Sequence, residues 1–183
     1  MKLLREKTQL LVIDMQERLL PVVFNGDAIA ARVCVLTEAA RLLGVPISIS
    51  EQYPRGLGPT INSVLKAAGT TARPFEKMSF SCLGDKEMAS HLTRLAATRR
   101  QIVICGIEAH VCVMQTALDL LNHGYDVAVV TDAVGSRDTA SKDVALLRSI
   151  QAGVTPVTTE MVIFEWLAAA GTPEFRSMLP LIK

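Results

Sequence analysis

Short β-branched runs alternate along the chain with longer stretches whose apolar positions recur every three to four residues. QLLVI (9–13), VPISIS (45–50), QIVIC (101–105), YDVAVVT (125–131) and VTPVT (154–158) read as strands, with a brief further strand around Thr71 to Phe75. Between them, helical periodicity predicts a helix from Asp27 to Leu43. It carries Ile29, Val33, Leu36, Ala40 and Leu43 on one face and is closed by Gly44. Further helices are expected over about 60–67, 86–97, 111–122 (Val111, Met114, Ala117, Leu118 and Leu121 inward), 140–152 and 160–169, then a short one at the end. Pro156 places the last strand at a sheet edge, and EQYPRGLGPT (51–60) reads as a loop.

Strands that alternate with helices imply right-handed crossovers, and so a mostly parallel sheet covered on both faces. QIVIC is apolar at nearly every position, as a strand buried on both sides must be. The fold expected is a three-layer α/β/α sandwich, with residues 1–183 as one domain. Ligands of such sheets bind beyond the carboxyl ends of the strands, where strand order reverses. That rule selects Asp14, Gln16, the loop from Glu51, Lys77 and the stretch Gly106 to Cys112.

Composition narrows the function classes. Lys+Arg total 19 against 18 Asp+Glu, with neither sign in blocks, so no nucleic-acid or anionic-membrane surface is expected. Aromatic residues make up 4%, too few for a base-stacking platform. Mean hydropathy is +0.33, high for a domain of this size, yet no apolar run reaches the roughly 18–20 residues that span a bilayer. Self-association into a homo-oligomer is the expected outlet for that surface. The opening MKLLREKTQLLVID runs straight into the first strand without a signal-peptide core. Cys34, Cys82, Cys105 and Cys112 form no CxxC pair and no metal spacing, which suits free thiols in a reducing cytoplasm.

Cys112 stands apart from the other thiols because it opens a helix directly after a buried strand. Free cysteine commonly fills cores as a small hydrophobe. At a helix N-terminus, backbone N–H groups and the helix dipole instead favour the thiolate and lower the thiol pKa. Position alone leaves both readings open. His110 lies two residues away with nothing evident to orient it, whereas His91 and His123 read as surface residues. Asp14, ending the first strand, is the better proton acceptor, and Lys77 would stabilise both the carboxylate and a developing thiolate. Gln16, Gln52, Tyr53, Phe80 and His110 are candidate substrate contacts; Met78 and Met114 read as core, and Trp166 as packing, including packing between subunits.

Taken together, Asp14 in LLVIDMQ, Lys77 in FEKMSFSC, Cys112 in VICGIEAHVCV and the later VVTDAVGSRD resemble the isochorismatase-like cysteine hydrolases. The resemblance covers nearly the whole chain. It implies a six-stranded α/β/α fold and an Asp14–Lys77–Cys112 triad that forms a thioester on Cys112. It also implies a non-proline cis peptide at Ile107–Glu108 and an oxyanion hole from the N–H groups of Glu108 and Cys112. Nicotinamidases of this family bind a metal through histidines in the loop after the second strand, where this chain has SEQYPRGLG. True isochorismatases generally lack the cysteine. The expectation is therefore a metal-independent hydrolase of small amide-like C–N substrates with no cofactor. The competing class is a non-catalytic, oligomeric ligand-binding or scaffold protein of the same fold.

Overall fold

A computed structural model describes residues Met1–Gly69 and Ala72–Ile182. Six strands run in the order β3-β2-β1-β4-β5-β6, all parallel: β1 (Thr8–Ile13), β2 (Ile47–Gln52), β3 (Phe75–Lys77), β4 (Gln101–Ile107), β5 (Asp126–Gly135) and β6 (Thr155–Val157). Among the described residues eight α-helices accompany them: α1 (Gly26–Leu42), α2 (Pro54–Leu57), α3 (Asn62–Ala68), α4 (Lys86–Ala96), α5 (Met114–Asn122), α6 (Thr139–Ala152), α7 (Thr159–Leu167) and α8 (Pro173–Ile182).

The uniformly apolar strands are explained by cover on both faces. Leu10 and Val12 of β1, with Val103 and Cys105 of β4, pack under α1, α7 and α8 through Val33, Leu36, Ile163 and Met178. The alternate residues Leu11, Ile13, Ile102 and Ile104 pack under α4 and α5 through Met88, Leu92, Ala117 and Leu120. Each such side chain taken fully out of water stabilises the fold by about 1.5–3 kcal/mol before entropy is counted. Trp166 belongs to the α1-side core at 2% exposure, so it packs within the subunit and not between subunits.

Strand order reverses between β1 and β4, which opens the crevice at their carboxyl ends. Gly106 makes this junction possible. Its φ is +119°, and a Cβ there would lie 2.0 Å from the carbonyl oxygen of Ile13, so only glycine lets the two strands meet.

The sequence pattern missed several local features, among them helix α2 inside the expected 51–60 loop and Leu120, in place of Leu118 and Leu121, on the buried face of α5. β5 runs to Gly135 instead of ending at Thr131, because its register jumps: Ile104 pairs with Val129, but Gly106 pairs with Val134. The bulged segment sends Asp132 to the start of α7, where its carboxylate accepts from the N–H and hydroxyl of Thr159. The expected helix from 111 begins instead with a π-helical turn, Ala109–Val113, before α5. Finally, β3 spans Phe75–Lys77, while Thr71, where that strand was expected to start, lies outside the described residues.

Candidate active site

Asp14 follows β1 with φ 51°, turning the chain so that its carboxylate drops into the crevice. It is fully buried. One carboxylate oxygen accepts from the Ser50 hydroxyl of β2 at 2.7 Å, and the other accepts from the Lys77 ammonium at 2.8 Å. Both side chains of the Asp14–Lys77 pair are 0% exposed. Lys77 ends β3 and also donates to Gln52 Oε1 at 2.8 Å and to the carbonyls of Ser79 and Phe80. A buried ammonium needs such a shell of acceptors, because burial alone would strip it of charge. Here burial works against the charge, but Asp14, helped by the nearby Cys112 and Cys82, more than offsets it and holds the Lys77 pKa above 10.5.

Cys112 occupies the π turn after β4 and is 6% exposed. It lies close enough to the pair that both charges act on its thiol. Burial raises the thiol pKa most, the Asp14 carboxylate raises it further, and Lys77 pulls it back. The net shift is upward, which corrects the expectation of a helix-lowered thiol. The residue sits inside a π turn instead of at an exposed helix start, and an anion is its neighbour. At rest the set is therefore a neutral thiol beside a carboxylate–ammonium pair. Cys82, also fully buried, has its thiol pushed up to about 11, by burial first and by Asp14 second.

The residues around Cys112 are held by groups the sequence did not single out. The Glu108 carbonyl accepts from the N–H groups of Val111 and Val113, which closes the π turn. The Glu108 carboxylate takes the Arg137 guanidinium at 2.9 Å, and His110 Nδ1 meets the Ser136 hydroxyl at 2.9 Å. The peptide between Ile107 and Glu108 is cis. Ser50 thus holds the Asp14 carboxylate, while Ser136 and Arg137 hold residues that precede Cys112. Ser136 and Arg137 lie within VVTDAVGSRD, but only the long β5 reveals where that segment lands.

The remaining candidates divide. Gln16 is fully buried: its amide donates to the carbonyls of Gln52 and Gly58 and accepts from the Gln52 N–H, so it ties β1 to β2. Gln52 spends its side chain on Lys77 and on the Met78 carbonyl. Tyr53 and Phe80 are 47% and 54% exposed, and Met78, expected in the core, is 70% exposed. Lys77 gathers the carbonyls of residues 79 and 80, which turns the neighbouring side chains outward. A cleft of about 400 Å³ lined by Tyr53, Lys77, Met78 and Ser79 opens on this side. Another of about 410 Å³ is lined by His110, Met114, Val144 and Arg148. Among the described residues, no three His, Cys, Asp or Glu side chains converge as a metal-donor set.

The isochorismatase domain model matches residues 8–161, which span all six strands and both ends of the crevice. The chain belongs to the isochorismatase-like hydrolase family. It is 39% identical to a secreted isochorismatase effector of Phytophthora sojae over 100% of this chain and 87% of that protein. Among solved structures, the MAR1 ribonuclease of Caenorhabditis elegans superposes with a TM-score of 0.92 at 32% identity, covering 100% of this chain and 92% of that one. The YcaC gene product of Escherichia coli, an octameric hydrolase of unknown specificity, shares the fold at a TM-score of 0.88 and 24% identity, over 99% of this chain and 87% of that one. The six-stranded parallel sheet with helices on both faces is thus the family's architecture. No helix among the described residues is long and apolar enough to cross a membrane.

Proposed function

We propose that this family member is a cysteine hydrolase of small, amide-like C–N substrates, with Cys112 as nucleophile, Asp14 as base and Lys77 as electrostatic partner. The observation that carries the reading is the fully buried Asp14–Lys77 ion pair set beside the buried Cys112 thiol. As the Cys112 sulfur attacks a carbonyl carbon, its proton passes to the Asp14 carboxylate, and the carbonyl π pair moves to oxygen. Lys77 lowers the cost of the thiolate character that develops. The N–H groups of Glu108 and Cys112 receive the oxyanion. Collapse breaks the C–N bond, Asp14 returns the proton to the departing amine, and a thioester remains on Cys112. Water, deprotonated by Asp14, then releases the acid and restores the thiol.

No step calls on a metal or cofactor, and near the end of β2 the Glu51 carboxylate is already engaged by Thr60. We assign Gln16 and Gln52 to bracing the site, and Tyr53, Phe80 and His110 to the substrate, since these three retain exposed or half-buried surface at the mouth. A net charge of +1 favours a small molecule over RNA, although RNA belongs in any substrate panel because of the C. elegans relative. Exposed Val144, Leu147 and Ile150 on α6 support a homo-oligomer, and four unpaired cysteines suit a reducing cytoplasm.

The test is a panel of small amides scored for ammonia or amine release, with intact-mass detection of an acyl adduct mapped to Cys112. Turnover that vanishes in Cys112→Ala, with an adduct trapped on Cys112 in the wild type, is the expected result. Ligand binding without turnover by any amide would instead favour the non-catalytic scaffold.

A further inference from the structure

The end of β5 and the loop after it grip the turn that presents the oxyanion-stabilising N–H groups at three successive points. Gly135 pairs with Ile107 as the last rung of the β4–β5 ladder. Two residues on, Arg137 binds the Glu108 carboxylate: Nε donates at 2.9 Å, and the Arg137 N–H points to the same oxygen at 3.4 Å. Between them, the Ser136 hydroxyl engages His110 at 2.9 Å and is itself buried. On the opposite side, the Gly106–Ile13 approach leaves the turn no room to retreat. Residues 107–110 are thus fixed from β1 by packing and from β5 by a hydrogen bond and an ion pair.

We infer that Arg137, assisted by Ser136, is a positioning residue for the oxyanion-stabilising turn, acting through Glu108 and His110. The inference rests on the function proposed above. Arg137 is 61% exposed, so its ion pair adds little to global stability, whereas the Glu108 side chain it holds is only 11% exposed. An exposed arginine spent on a nearly buried carboxylate four residues before the nucleophile makes sense as a brace on geometry. Donors aimed at a developing anion lose their effect steeply when displaced, so a weak latch can carry a large catalytic consequence.

Two reagents separate the thiol from the anion site. Iodoacetamide alkylates Cys112 by displacement: an Sγ–C bond forms, iodide and the thiol proton leave, and no oxyanion appears. Butanal adds reversibly: the Sγ–C bond forms, the carbonyl π pair moves to oxygen, and the thiol proton passes to the Asp14 carboxylate, which leaves an oxyanion before the N–H groups. The butanal concentration that halves Cys112 labelling therefore reports on the anion site. We expect Arg137→Ala to leave the labelling rate without butanal unchanged while raising the half-protecting concentration about tenfold. Arg137→Lys should recover part of the loss, and Ser136→Ala should fall between Arg137→Lys and wild type. High salt should weaken protection in wild type but not in Arg137→Ala, because the ion pair is exposed. Equal protection of wild type and Arg137→Ala overturns the inference. So does a collapse of Arg137→Ala labelling itself, which would mean that the latch holds the thiol and not the anion site. If butanal fails to protect wild-type Cys112, the cysteine-hydrolase reading falls first.

Discussion

Lys77→Met removes the cation from a carboxylate that has no access to water. Asp14 and Lys77 are both 0% exposed at 2.8 Å, and without the ammonium the carboxylate keeps neutral side-chain partners, the Ser50 hydroxyl and the Cys112 thiol, but no cation among the described residues. Breaking a buried pair by deleting one partner typically costs about 3–5 kcal/mol, because a buried charge is left uncompensated. For a domain of this size that corresponds to a fall in Tm on the order of 10 °C. Removing both charges, in Asp14→Asn with Lys77→Met, takes away the orphan as well and should recover most of the loss. Urea denaturation of the four proteins closes the double-mutant cycle. The pH dependence follows from the raised Lys77 pKa. The stability that Lys77 contributes is fully present below 10.5, the ordinary lysine value, and is lost as pH rises through the higher folded value. The gap between wild type and Lys77→Met should therefore narrow on the alkaline side. Single variants that each cost under about 1 kcal/mol and add without coupling would refute the reasoning.

Three further outcomes are expected. Asp14→Asn removes a charge that raises the Cys112 thiol, so ultraviolet titration of the thiolate should shift downward from wild type even as amide turnover falls roughly a hundredfold or more for want of a base. An unchanged or higher thiol pKa in that variant would contradict the assigned electrostatics. Gly106→Ala should destabilise the fold by about 2–5 kcal/mol in chemical denaturation, because its Cβ meets the Ile13 backbone and its φ suits only glycine. Leu147→Glu with Val144→Glu, on the exposed stripe of α6, should reduce the mass seen by light scattering while leaving the circular dichroism spectrum intact.

Local pattern carried much of this architecture. The apolar runs at 9–13 and 101–105 had to be strands covered on both faces, and Pro156 had to lie at an edge, because those properties follow from burial and from a missing N–H. Asp14, Lys77 and Cys112 could be picked out because each ends or follows a strand, and parallel strands bring their carboxyl ends to one edge. The sequence could not say how those side chains divide their hydrogen bonds. Gln16 and Gln52 looked free to meet a ligand, yet in the fold their amides bond to backbone carbonyls and to Lys77. The Cys112 thiol was expected to be acidified by a helix start. Only the packed crevice, with its burial and the Asp14 charge, decided that it rests protonated. The Arg137–Glu108 and Ser136–His110 contacts join residues 26 to 29 positions apart, and they depend on a register jump within β5 that no local periodicity encodes. Periodicity records which face of an element meets the core. Register, protonation and the pairing of polar groups are set by distant neighbours, and those exist only once the chain has folded.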